Sequence, residues 1–245
     1  MFIVFAAAAG VWGQSASEPM NALARRQLLP TGHLRVGINT GNQLTRVVGR
    51  EIATELARRL NSDAVFVEYP SPGAVADASA AWDIAFIAAD PDRETAIAFT
   101  PPYVELEAAY LVTTASPIRS IGDIDRNGVR IATGATSAYT LALKRELEHA
   151  ELVFLNADEA VKALAAGSVQ AVAGLRFDLV ARAAGNQSVR VLPEAFARAQ
   201  QAIAVPKQNG AALIQVTELL GELKRSGAVA AMIQRTGLAG ARVVP

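Results

Sequence analysis

Cysteine is absent from the 245 residues, so no disulfide, thiolate nucleophile or zinc–thiolate centre can form. That absence suits cytoplasm and periplasm alike. Histidine occurs only twice. His33 falls in a turn and His149 on the polar side of a helix, neither with a His or Cys neighbour at ligand spacing, which argues against a metal site. Charge of one sign is also lacking: the formal net charge is zero and acidic and basic residues are interspersed. Without a basic stripe, nucleic acid is a poor candidate for the main partner. The patterns G-x-S-x-G, G-x-x-x-x-G-K-[ST] and G-x-G-x-x-G are missing, and with them any direct sign of a nucleophile elbow, a P-loop or a dinucleotide site. No cofactor is expected.

What remains is a chain about half apolar with ordinary glycine and proline content. It is globular rather than disordered and long enough for one or two domains with full cores. The excess of Arg over Lys and the many Ala residues reflect genome composition rather than function. The N-terminus opens with an apolar run, Phe2 to Trp12, too short to span a bilayer, which needs about 20 residues. Its length suits a secretory h-region, and Ser15-Ala16-Ser17 offers small residues for cleavage, although no basic residue follows Met1. Residues 1–19 therefore read as a truncated leader or as a merely apolar tail. No later segment has the length and apolarity of a membrane helix.

The stretch from Trp82 to Val112 organises the rest. Asp83 to Ile87 is an apolar run of strand length that stops at Ala88-Ala89-Asp90-Pro91, where Pro91 removes a backbone donor and restricts its predecessor. A short turn carries Asp92, Arg93 and Glu94, and a second extended run, Glu105 to Val112, leaves the area. A strand ending in a polar loop with one guanidinium is a place for a small anion, unless Arg93 merely pairs with its acidic neighbours at the surface. Upstream, Leu34 to Asn39 alternates as a strand and ends in Thr40-Gly41-Asn42-Gln43. Open α/β sheets bind ligands beyond the carboxyl ends of their strands, which draws attention to Asn39 and Asn42; a plain strand-to-helix turn explains them equally. Gly49 to Asn61 is an amphipathic helix on Ile52, Leu56 and Leu60. Ala64 to Tyr69 is the second strand, giving βαβαβ and hence a parallel sheet.

Further on, Val129 to Ala132 is a strand ending at Thr133-Gly134-Ala135-Thr136-Ser137, just before the helical run Tyr139 to His149. A helix N-terminus there offers unpaired N–H groups to an anion, although capping by Thr136 or Ser137 would use the same residues. Strands follow at Leu152–Leu155, Val169–Gly174 and Val189–Leu192, then an extended return from Gln201 to Lys207, then helices over Ala211–Arg225 and Val229–Arg235. Glu105 and Glu107 share one face of their strand and form either a pocket wall, an acid pair, or a solvated or inter-lobe strand face.

The order Asp-Ile, polar loop, Arg93, and six residues later Phe99-Thr100-Pro101-Pro102-Tyr103 resembles the solute-binding proteins of ABC transporters, specifically the amino-acid-binding, bilobal type II kind. Leu34-Arg35-Val36-Gly37 and the segment Ile121 to Ala132 are similar to it too, so the resemblance runs from about Leu34 to the C-terminus. It implies a two-lobed α/β fold, each lobe a mostly parallel sheet flanked by helices, joined by two crossover strands near Glu105–Ala109 and Gln200–Ile203. Lobe 1 would hold 31–106 and 202–245 and lobe 2 would hold 107–201. It implies that Arg93 clamps a carboxylate, with Asn39, Asn42, Ala88, Asp90, Thr136, Ser137 and Gly174 around the solute. It also implies a periplasmic monomer working with an ABC permease. Two departures stand out. The loop after Asn42 is short, and Leu175 stands where the family's ammonium-binding aspartate should be, with Asp178 three residues on. That weakens the expectation of an amino acid and favours other carboxylates. A dehydratase of cyclic carboxylates on the same fold is the alternative, with Glu105, Glu107 or Asp90 as its acid or base; an orphan ligand sensor is the third.

Overall fold

A computed structural model describes residues 21–244; the leader expected over 1–19 lies outside them. The described chain starts with α1 (Ala22–Leu28), a helix the sequence reading passes over. Asn21 caps it by accepting from the Leu23 N–H at 2.8 Å.

Three parallel strands follow, β1 (Leu34–Asn39), β2 (Ala64–Tyr69) and β3 (Ile84–Ala88), side by side as β2-β1-β3. Leu34, Val36 and Ile38 are fully buried, as the alternation in β1 requires. Between β1 and β2 runs α2 (Arg50–Arg59), whose Ile52 and Leu56 face the core. A π-helical turn at Thr45–Gly49 precedes it, so the chain turns helical sooner than the sequence suggests. Between β2 and β3, α3 (Pro72–Asp77) opens with a Ser71 cap on the Ala74 N–H at 3.2 Å and a proline in its first turn. Asp83 fixes the start of β3: it accepts the Arg35 N–H at 2.8 Å and the Arg35 guanidinium at 2.6 Å. Every residue of β3 is buried, as a parallel strand covered on both faces should be.

After β4 (Ile97–Phe99) the chain crosses on β5 (Val104–Thr113) into a second set of parallel strands. These are β6 (Arg130–Thr133), β7 (Glu151–Phe154) and β8 (Ala171–Leu175), alternating with α4 (Ala138–Glu146), α5 (Ala157–Ala165) and α6 (Arg176–Ala183). Following β9 (Val189–Val191), the chain returns on β10 (Ala197–Pro206). It closes with α7 (Gly210–Arg225), α8 (Ala228–Thr236) and β11 (Ala241–Val243). Gln27 of α1 ties the start of the described chain to α7 through the Ala212 N–H at 2.9 Å.

One continuous sheet runs β2-β1-β3-β10-β5-β8-β6-β7. Its centre is the antiparallel pair of crossing strands, Val104–Ala108 against Ala197–Gln201. Beyond that overlap, β10 pairs with β3 and β4, and β5 with β8 and β9. The architecture is therefore the two-lobed, type II α/β fold expected; the outgoing crossing lies one residue before the expected Glu105–Ala109, and the return starts three residues before the expected Gln200–Ile203. Each half buries apolar residues on both faces of its sheet. In the second half, Tyr110, Ile131 and Leu143 pack on one side and Leu111, Ala132 and Leu164 on the other. The side-chain period of two sends neighbours such as Tyr110 and Leu111 to opposite faces. Fully burying one such side chain is worth about 1.5–3 kcal/mol.

Candidate functional site

Between the two halves lies a cavity of about 550 Å³, within the range of small-molecule sites. Its walls include the segments that follow β1, β3, β6 and β8, the carboxyl ends of parallel strands. From β1 come Asn39 and Asn42, both buried. Asn39 Oδ1 accepts the Gly41 N–H at 3.0 Å and Asn42 Oδ1 the Leu44 N–H at 2.9 Å. Each amide oxygen thus shapes its own loop, which leaves the amide nitrogen as the end suited to donate to a solute.

The end of β3 supplies Ala88 and, through a 3₁₀ turn at Pro91–Arg93, the side chain of Arg93. Asp90 caps that turn by accepting the Asp92 N–H at 3.0 Å. Arg93 is only 6% exposed. It donates to the Ala88 carbonyl on its own side and to the Thr136 carbonyl across the cleft at 2.6 Å. Burial draws its pKa below the usual guanidinium value, with Asp90 and Asp92 acting in the opposite sense. Among the described residues no ion pair joins Arg93 to Asp92 or Glu94; Asp92 is held instead by Arg145 of α4 at 3.1 Å.

The second half contributes the loop from Thr133 to Ser137. Ser137 is the N-cap residue of α4 but its side chain makes no capping bond. Thr136 does not cap either; its hydroxyl accepts the Gly73 N–H from the opposite half at 3.2 Å. Glycine is needed at that approach, since a Cβ on residue 73 would come within 2.8 Å of Thr136 Cγ2. Gly174 of β8 completes this wall.

Of the residues singled out from the sequence, Arg93, Asn39, Asn42, Ala88, Thr136, Ser137 and Gly174 all line the one cavity. Asp90 does not. Its carboxylate, 5% exposed, is clasped by Arg145 at 3.1 and 3.2 Å, which binds one half to the other. Glu105 and Glu107 also lie away from the cavity, on the crossing strand. Glu105 accepts from Gln200 and Arg242, both at 2.6 Å, and Glu107 from Arg176 at 2.6 Å. Of the alternatives for these two, the inter-lobe strand face is the one realised, and arginines share it.

Two further polar residues of the cavity were not among the expected solute contacts, although the sequence reading had noted Asp178 three residues after Leu175. Gln201 lies on β10, is 3% exposed and lines the cavity, yet its Oε1 has no hydrogen-bond partner among the described residues. Asp178 lines it too, from the first turn of α6, and burial pushes its carboxyl above the ordinary value. The helix was the missing signal: α6 starts directly at the end of β8, and Phe177 and Leu179 turn inward from it.

Solved structures share this architecture. A mutant of ArgBP from T. maritima superposes with a TM-score of 0.71 at 21% identity, over 86% of this chain and 98% of that one. The ancestral amino acid-binding protein AncCDT-1, a precursor of cyclohexadienyl dehydratase, gives 0.72 at 20%, over 86% and 97%. AbpA, an amino acid ABC transporter substrate-binding protein from Streptococcus pneumoniae bound to L-arginine, gives 0.71 at 17%, over 85% and 95%. At such identities the likeness establishes the fold. No curated protein matches the chain. The family model for bacterial extracellular solute-binding proteins, family 3, matches residues 47–237, and the chain belongs to that family.

Proposed function

We propose that this protein captures a small carboxylate-bearing solute in the cavity between its halves, outside the cytoplasm, and presents it to an ABC permease as a monomer. The observation that carries the reading is Arg93: a buried guanidinium at a strand end, on the cavity wall, with no carboxylate paired to it among the described residues. Its two hydrogen bonds go to backbone carbonyls, which are neutral. A carboxylate would supply the missing charge in a bidentate, charge-assisted pair. Thr136 and Ser137 face the same space from the other half, so a bound solute touches both halves and favours the closed arrangement. The lobe limits that go with this reading are 31–106 with 202–245 and 107–201; the crossing pair at Val104–Ala108 and Ala197–Gln201 supports them.

Binding without turnover is the second part of the proposal. The three acids that the sequence reading offered to an enzyme, Asp90, Glu105 and Glu107, are each engaged by an arginine outside the cavity.

A thermal-shift screen of small carboxylates and amino acids tests the reading. A solute that binds only the folded state raises stability by about 2.7 kcal/mol at 100-fold over Kd. The hit should lose most of its shift in Arg93→Ala. A panel in which Arg93→Ala matches the wild type for every hit would remove the carboxylate clamp.

A further inference from the structure

The two halves furnish the cavity differently. The first brings polar side chains to it, Arg93, Asn39 and Asn42, with Gln201 on the crossing strand beside them. In the second half the wall beyond Gly174 is apolar, made of Phe154, Leu155, Ala157, Ala160, Val172 and Leu179. Ala160, Val172 and Leu179 belong to the cluster that packs one face of that half's sheet, and Leu155 packs against it. The core of the second half therefore reaches the cavity surface. Phe154 extends this surface with a ring that is 49% exposed, the Lys144 ammonium lying 4.8 Å from its centroid. It ends β7, which lies two strands from β8 with β6 between them, about 10 Å across the sheet.

Polar side chains along this wall are occupied by one another. Asn156 Oδ1 accepts the Asp158 and Glu159 N–H groups at 3.1 and 2.9 Å, and Glu159 accepts the Asn156 N–H at 3.1 Å. Arg182 bonds Asp158 at 2.8 Å. Asp178, at the start of α6, has Arg46 and Arg182 near enough to favour its charge. An exposed aromatic at the end of an edge strand has an ordinary explanation, since isolated apolar side chains are common on protein surfaces. That explanation does not cover Phe154, whose apolar surface continues through Leu155 and Ala157 into the wall of a cavity.

We propose that this wall is an apolar subsite and that the solute is a small carboxylate whose tail is an uncharged hydrocarbon chain or ring. Phe154 and Leu155 are its specificity-determining residues. This rests on the reading that Arg93 takes the carboxylate. Charge fixes the head at the first half, and the tail leaves water against the second. A tail ending in a charge loses hydration there, and Asn156, Glu159 and Arg182 are already engaged and offer it no free partner.

Calorimetric titration of the intact protein with butanoate, pentanoate, hexanoate and adipate, and with L-norleucine beside L-lysine, tests it. Hexanoate and adipate share a chain length, as do norleucine and lysine; the members of each pair differ in the charge at the far end. Each methylene added from butanoate to hexanoate should tighten binding roughly fourfold. In at least one pair the apolar member should bind, and at least about tenfold tighter than the charged one. Phe154→Ala should weaken hexanoate roughly tenfold and butanoate by about twofold or less. Ala157→Asp is the second variant. It sets a carboxylate in the subsite at the first position of α5, where an acid suits the helix, so the fold is kept while the preference for apolar tails is lost. Both empty variants should melt within about 2 °C of the wild type.

Carboxylates that bind regardless of their tails, or adipate and lysine binding tighter than hexanoate and norleucine, would overturn the subsite. The carboxylate clamp would still stand if Arg93→Ala abolished that binding. The reverse pattern, a gain with chain length erased by Phe154→Ala and Ala157→Asp but untouched by Arg93→Ala, would keep the subsite and remove the clamp. If no compound of the panel binds, both are wrong.

Discussion

At the scale of one residue, Arg93 shows how a site can be legible in sequence while its state is not. Its distance from the end of a strand follows from the chain alone. That it would bridge the carbonyls of Ala88 and Thr136 does not, because Thr136 lies 43 residues away. The bridge shapes what substitution should do. Arg93→Ala removes both the charge partner of a carboxylate and one tie across the cleft, and we expect a loss of roughly 2–5 kcal/mol in solute affinity. Arg93→Lys keeps the charge but not the planar fork, so it should fall between the two. Titration calorimetry on both variants measures this. A lysine variant equal to wild type would mean that a point charge suffices and that the bidentate geometry is wrong.

At the scale of elements, α4 and the turn after β3 are held together by Arg145, whose guanidinium reaches both Asp90 and Asp92. The neighbouring tie is the Gly73–Thr136 contact. Both join the two halves across the cleft, which under the proposed function separate to admit a solute. Arg145→Ala should therefore favour the open arrangement and weaken binding by roughly fivefold or less, as befits pairs whose arginine is solvent-accessible. Added salt should weaken the wild type in the same direction and the variant less. Small-angle scattering reads the opening directly: an unchanged radius of gyration in Arg145→Ala, with unchanged salt dependence, would show that the pair holds nothing. Gly73→Ala should act in the same sense by steric means, since its Cβ has no room beside Thr136.

At the scale of the whole molecule, the crossing strands carry a cluster of opposite charges on the side away from the cavity. Glu105 accepts from Gln200 and Arg242 and lies near Arg198. The hydrogen bond from Gln200, then that from Arg242, hold its carboxyl below the ordinary value of 4.5. A depressed carboxyl stabilises the folded state above the unfolded pKa, and that contribution is lost as pH falls through the folded pKa. Glu105→Gln should accordingly melt slightly below the wild type at neutral pH, by roughly 2 °C. The difference should shrink toward zero in acid, where the wild-type carboxyl is itself neutral. Melting curves across that range check it, and a constant difference would assign the effect to packing instead of charge.

The sequence by itself determined the strands, the helices with strong apolar faces and the order in which they come. Leu34, Val36 and Ile38 alternate, Ile52 and Leu56 repeat at helical spacing, and Pro91 stops a strand; each of these is a local rule. It also placed Arg93, Asn39, Asn42, Thr136 and Ser137 at the ends of elements, where a parallel sheet exposes its loops. It did not disclose α6, whose eight residues give a short periodic signal, nor the three-residue strands β4 and β11, which exist through pairing with distant partners. Only the tertiary structure decided which polar groups are already satisfied. Asp90 looked like a cavity acid until Arg145, 55 residues away, claimed it, and Gln201 was one more residue of an extended run until the fold set it in the cavity wall. Local patterning fixes where a side chain starts, but hydrogen-bond and charge partners come from elements far apart in the chain, and those meet only when the sheet is closed.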